Sequence, residues 1–73
     1  MNLSEVMEFY SDEIYSPEPD WYVPLEKICA FSKHNEDFTM VYVTSLSAPI
    51  RVKGNIKDLV DIFDMKIKAI LDD

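Results

Sequence analysis

The stretch Phe38-Thr39-Met40-Val41-Tyr42-Val43-Thr44 constrains this chain more than any other. It is rich in β-branched and aromatic residues, the types that fit a pleated, half-buried surface. Side chains of a strand alternate between its two faces. Phe38, Met40 and Tyr42 therefore point one way, and Thr39, Val41 and Val43 the other. Both rows are apolar enough to need cover. A helix packed on one side covers only one of them, so the pattern predicts a further covering element or a second copy of the chain.

The flanking sequence supplies neighbours for this strand. Leu25 to Ser32 predicts a preceding strand, and the polar run Lys33-His34-Asn35-Glu36-Asp37 the turn between them. Thr44 to Ala48 predicts a second turn. Pro49 to Lys53 predicts a short third strand in which Ile50 and Val52 alternate with Arg51 and Lys53. Gly54, the only glycine, falls where that strand must turn into a helix. Asn55 suits an N-cap. Ile56, Leu59, Val60, Phe63, Ile67, Ile70 and Leu71 then form a stripe at helical spacing over 56–71. Lys57 with Asp61, and Asp64 with Lys68, are i,i+4 pairs on that helix. At the other end, Leu3, Val6, Met7, Tyr10 and Ile14 predict a short helix over 3–15, closed by Ser16-Pro17-Glu18-Pro19-Asp20. The expected fold is α+β in a single domain: a short N-terminal helix, a three-stranded antiparallel β-meander within 21–54, and an amphipathic C-terminal helix over 55–73 packed on the sheet.

At 73 residues the chain has room for one domain. Domains of this size bury only about 60% of the surface of the unfolded chain, so many rely on disulfides, metals or self-association. Cys29 is the only cysteine and His34 the only histidine. An internal disulfide is impossible, and a four-ligand zinc site would need carboxylates or a second chain. That leaves tight packing or a homodimer or larger assembly, and the two-sided strand favours the assembly. No apolar run approaches the ~20 residues that span a bilayer. The first twenty residues hold no Lys or Arg and no continuous apolar run, unlike a signal peptide. With one thiol and no export signal, a cytoplasmic setting is expected.

The charge is unevenly spread. Of a net −7, the first twenty residues carry −6, from Glu5, Glu8, Asp12, Glu13, Glu18 and Asp20 with no base among them. The remaining chain holds eight acids against seven bases. A field of this sign repels nucleic-acid phosphates and anionic membranes and attracts basic surfaces.

Groups arranged for catalysis are scarce. Cys29 would need a base or a positive field to form thiolate, and His34 is the one imidazole. A buried structural thiol and a solvated turn histidine are expected instead. Glu36-Asp37 lacks the oxygen-rich loop of a calcium site. Asp58, Asp61 and Asp64 recur every three residues, but lysines share their face, so a solvated helix surface is expected. A single glycine cannot build a phosphate loop. No catalytic residue, cofactor or metal is therefore expected.

Two functions of different class follow. In the first, the chain is a protein-binding regulator or inhibitor. Aromatic side chains interleaved with the N-terminal acids engage a basic surface of a larger partner, a nucleic-acid-binding surface being one such. Glu5, Glu8, Asp12, Glu13, Tyr15 and Trp21 would carry the contact. In the second, it is a structural or small-anion-sequestering homo-oligomer, with Tyr42, Arg51 and Lys53 at an anion pocket between subunits. Pro24 to Phe63, with apolar positions at Leu25, Ile28, Phe38, Val41, Ile50, Val52, Leu59 and Phe63, resembles compact flagellar regulators in which short strands precede a terminal helix. In charge and size the chain resembles small phage-encoded inhibitors that mimic DNA. Neither resemblance implies a role for any one residue.

Overall fold

The computed structural model describes residues 5–11 and 17–71. In chain order these form strands β1 (Val6–Phe9) and β2 (Trp21–Pro24), a 3-10 turn (Leu25–Lys27), strands β3 (Ile28–Lys33), β4 (Phe38–Val43) and β5 (Ile50–Lys53), and helix α1 (Ile56–Leu71). The class is α+β, with antiparallel strands and one C-terminal helix.

The expected N-terminal helix is not formed where the chain is described. Val6–Phe9 is a strand, paired antiparallel with Trp21–Pro24 in the register Met7↔Val23 and Phe9↔Trp21. The helical stripe would have buried Val6, Met7 and Tyr10 and left Phe9 outside it. As a strand, the same residues alternate, and Met7 and Phe9 are both 1% exposed while Glu8 and Tyr10 face solvent. Two large side chains are thus fully buried at once, which favours the strand over a helix too short to be stable alone. Leu3 and Ile14 lie outside the described residues.

Strands β3, β4 and β5 form a second antiparallel sheet in sequence order. Its first strand begins at Ile28, not Leu25, because Leu25–Lys27 wind into the 3-10 turn. The register slips between Ile28 and Ala30, so Cys29 sits in a bulge. The two sheets meet edge to edge where the Lys53 N–H donates to the Tyr10 carbonyl at 2.6 Å.

One core unites both sheets and the helix. Met7, Phe9, Val23 and Leu25 join Val41, Val43, Ile50, Val52, Leu59 and Ile70, with Ile28, Phe31, Phe63 and Ile67 packed against them. The rings of Phe31 and Phe63 meet edge to face, centroids 5.6 Å apart. Thr39 is the one buried polar side chain among the described residues; its hydroxyl donates to the Gly54 carbonyl at 2.9 Å. Gly54 itself has φ +131°, a conformation L side chains rarely adopt. Asn55 Oδ1 then accepts from the Lys57 N–H at 2.9 Å and starts α1. The apolar stripe of α1 ends at Ile70; Leu71 is exposed. Neither Lys57–Asp61 nor Asp64–Lys68 closes into an ion pair.

The two faces of β4 differ. Thr39, Val41 and Val43 are buried, whereas Phe38 and Met40 are half-buried and Tyr42 is 41% exposed. The N-terminal segment joins the core beside the first row instead of covering the second. Part of the second row is shielded by Arg51, whose guanidinium lies 5.0 Å from the Phe38 ring centroid.

Candidate functional site

The hairpin arms β1 and β2 sort their side chains by alternation. Met7, Phe9 and Val23 turn into the core. Glu8 and Tyr22 are direct cross-strand partners on the other side, and Tyr10 follows Glu8 two positions on. Tyr22 is 57% exposed and Tyr10 40%. The Glu8 carboxylate makes no hydrogen bond or ion pair with any described residue.

The connected end of the hairpin is tied by Asp20. Its N–H donates to the Phe9 carbonyl at 2.9 Å, and its Oδ2 accepts from the Ser11 N–H at 2.9 Å. Those hydrogen bonds from Ser11, backbone first, hold the Asp20 carboxyl below its ordinary value. The negative charge is therefore kept in place where β1 ends and β2 begins.

Next to β2 lies an open recess of about 140 Å³, lined by Trp21, Tyr22, Pro24, Lys27, Val43 and Leu46 among others. Trp21 is 37% exposed and Leu46 39%. Pro24 suits this position because, among the described residues, β2 has a strand partner on one side only. An apolar concavity with a tryptophan on its wall is suited to a single side chain of a partner.

Of the sequence-based partner residues, Glu5, Glu8 and Trp21 fall on this hairpin, and Glu5 and Glu8 are exposed. Glu5 is anchored by its carbonyl, which accepts from the Leu25 N–H at 3.1 Å. Asp12, Glu13 and Tyr15 lie outside the described residues. Tyr22 and Leu46 were not expected at the site. Strand alternation puts Tyr22 beside Glu8, but only once β1 is known to be a strand. Leu46 was legible only as an apolar residue stranded in a turn.

Within one chain the residues of the alternative set, expected at a pocket between subunits, do not converge on one another. Tyr42, Arg51 and Lys53 do share the outer face of β4 and β5, where Arg51 lies opposite Met40 and Lys53 opposite Phe38. Tyr42 stands four residues along the strand from Phe38, roughly 13 Å at strand rise, and so is remote from Lys53. The recess that Lys53 lines, about 460 Å³, also presents Glu36, Asp37 and Asp58. Three carboxylates around one ammonium make it a poor home for an anion.

Cys29 is exposed, which corrects the expected burial. The bulge turns its side chain outward, and its Sγ lies 3.0 Å from Thr44 Oγ1. His34 follows the far end of β3, about 16 Å from Cys29 at strand rise. Thiol and imidazole are therefore not partnered. Glu36 is instead engaged by Lys33, Nζ to Oε1 2.9 Å, and the hydrogen bond and charge of that lysine hold its carboxyl below the ordinary value. Among the described residues no three His, Cys, Asp or Glu side chains converge as a metal site, and no helix is long and apolar enough to cross a membrane.

No protein-family model, curated protein or solved structure matches the chain.

Proposed function

We propose that the protein is a small acidic binding module that engages a basic surface of a larger protein partner, as a regulator or inhibitor, and performs no catalysis. The supporting observation is the composition of the β1–β2 surface. Trp21, Tyr22 and Leu46 stay substantially exposed around an apolar recess, in a chain whose first twenty residues carry six acids and no base. Exposed aromatic anchors supply affinity after encounter, and a one-signed field speeds the encounter. A basic groove that normally receives nucleic acid has the matching charge.

The test is salt-dependent capture on the immobilised chain, wild type beside Glu5→Lys/Glu8→Lys. A partner with a basic surface should be retained at low salt by wild type and lost both at high salt and on charge reversal. Retention indifferent to both changes would overturn the proposal.

A second reading has its own support. The outer row Phe38, Met40 and Tyr42 is incompletely covered within one chain, as a homo-oligomer would require. Light scattering at micromolar concentration should then give a mass above the 8.5 kDa of one chain. A strict monomer removes this reading and leaves the first intact.

A further inference from the structure

Among the described residues none pairs with the outer face of the β1–β2 hairpin, where Glu8, Tyr10 and Tyr22 are exposed, and its chemistry narrows what covers it. We infer that this face, built from Glu8, Tyr10 and Tyr22, is a docking site for an arginine side chain carried by a segment of the partner. The inference rests on the proposed binding to a basic protein and names the group that is recognised. Glu8 and Tyr22 are opposite one another in the ladder. Directly opposed side chains in an antiparallel pair stand about 5 Å apart at Cβ. Tyr10 lies two residues beyond Glu8 along the strand, at roughly 7 Å. A planar cation entering from solvent therefore meets an aromatic ring, a carboxylate with no described partner, and a second exposed ring. Guanidinium satisfies all three. It stacks on the Tyr22 ring and offers a paired N–H fork to the Glu8 carboxylate. An ammonium, a strongly hydrated point charge, can take only one of those contacts well.

Charge complementarity selects this occupant over others. No Lys or Arg lies within the first twenty residues, and Glu5, Glu18 and Asp20 add to the negative field around the hairpin. An anionic lipid surface or an RNA backbone would be repelled. A second copy of a chain with net charge −7 is disfavoured on the same ground.

The experiment compares two fluorescein-labelled nonapeptides of equal charge, nona-arginine and nona-lysine, titrated with the intact chain at several salt concentrations. Wild type should bind the arginine peptide roughly three- to tenfold more tightly than the lysine peptide. Glu8→Gln should remove most of that ratio, and Tyr22→Leu should do the same while leaving weak charge-driven binding of both peptides. Circular dichroism confirms the fold of each variant, and Glu8→Gln, at an exposed position, keeps the test valid should Tyr22→Leu perturb the hairpin. Equal affinity for the two peptides in wild type overturns the arginine inference and leaves the basic-partner proposal standing. Failure to bind either peptide at low salt overturns both.

Discussion

The meander and helix from Ile28 to Leu71 and the hairpin that precedes them are built on opposite terms. The C-terminal part is nearly neutral, and its elements are joined by tight turns and a local cap. The hairpin is strongly acidic, and its two strands are joined through an intervening stretch of eleven residues. Yet the largest fully buried side chains among the described residues, Phe9 and Met7, belong to the hairpin. One arm thus has two unlike sides: its inner side chains complete the core, and its outer ones stay exposed, as the proposed partner contact requires. The helical reading of the same segment also docked it on the core, but by Val6, Met7 and Tyr10, with Phe9 left outside.

Truncating one residue on each side of the same hairpin should separate the two roles. Phe9→Ala should cost about 3–5 kcal/mol, because it leaves a cavity in the shared core. Tyr22→Ala, on the outer side, should stay within about 0.5 kcal/mol. Urea denaturation of both variants measures the contrast. A mild Phe9→Ala would mean that the hairpin is an appendage and that the core is complete without it.

Much of the C-terminal part was legible in the sequence because its signals are local. Gly54 and Asn55 mark a corner by backbone conformation and side-chain capping, and the stripe over 56–71 has one clear period. The N-terminal part was misread because Val6, Met7 and Tyr10 fit a helical period while Met7 and Phe9 fit an alternating one. A short apolar run does not decide between the two. What decides is pairing with Trp21–Pro24, a non-local fact. The candidate site inherits that limit. The acids and Trp21 could be named from composition, whereas the adjacency of Glu8 to Tyr22 depends on that pairing, and the recess that Trp21 shares with Leu46 on packing between distant segments. The exposure of Cys29 comes from a bulge that no residue type announces.

The junction between β4 and α1 offers a smaller effect. Thr39→Val keeps the shape of a side chain with no solvent exposure but removes its hydroxyl, leaving the Gly54 carbonyl without that donor. The expected loss is about 1–2 kcal/mol in denaturant unfolding. No loss would show that the corner is held by the Gly54 N–H bond to the Asp37 carbonyl, 2.7 Å, without help from Thr39.

Asn55→Ala removes the acceptor for the Lys57 N–H and should cost about 1 kcal/mol. Its signature is regional. Amide exchange should quicken in the first turn of α1 before it changes at Met7 or Phe9. Equal acceleration in the hairpin would mean that helix and hairpin open as one unit, and the contrast between the two parts would then be chemical but not dynamic.

The smallest expected effect concerns pH, and it separates the two parts by the origin of their depressed carboxyls. Asp20 in the hairpin is held down mainly by hydrogen bonds from Ser11, and Glu36 in the meander by the hydrogen bond and charge of Lys33. In both, folding favours the ionised form. Each contribution is therefore fully present above the ordinary value, 3.8 for Asp20 and 4.5 for Glu36, and is lost as pH falls through the lower folded value. Asp20→Asn should lower the melting temperature slightly at neutral pH and converge with wild type in strong acid, and Glu36→Gln should behave likewise. Salt should tell them apart. Added sodium chloride screens the exposed Lys33–Glu36 pair and should shrink the Glu36→Gln difference. The Ser11 amide bears no net charge, so the Asp20→Asn difference should persist. Melting curves from pH 2 to 7 at two ionic strengths supply the comparison. Parallel curves for wild type and Asp20→Asn at every pH would show that Asp20 is not ionised more readily in the folded chain. The hairpin end would then be joined by the Phe9–Asp20 backbone bond alone, with no electrostatic lock.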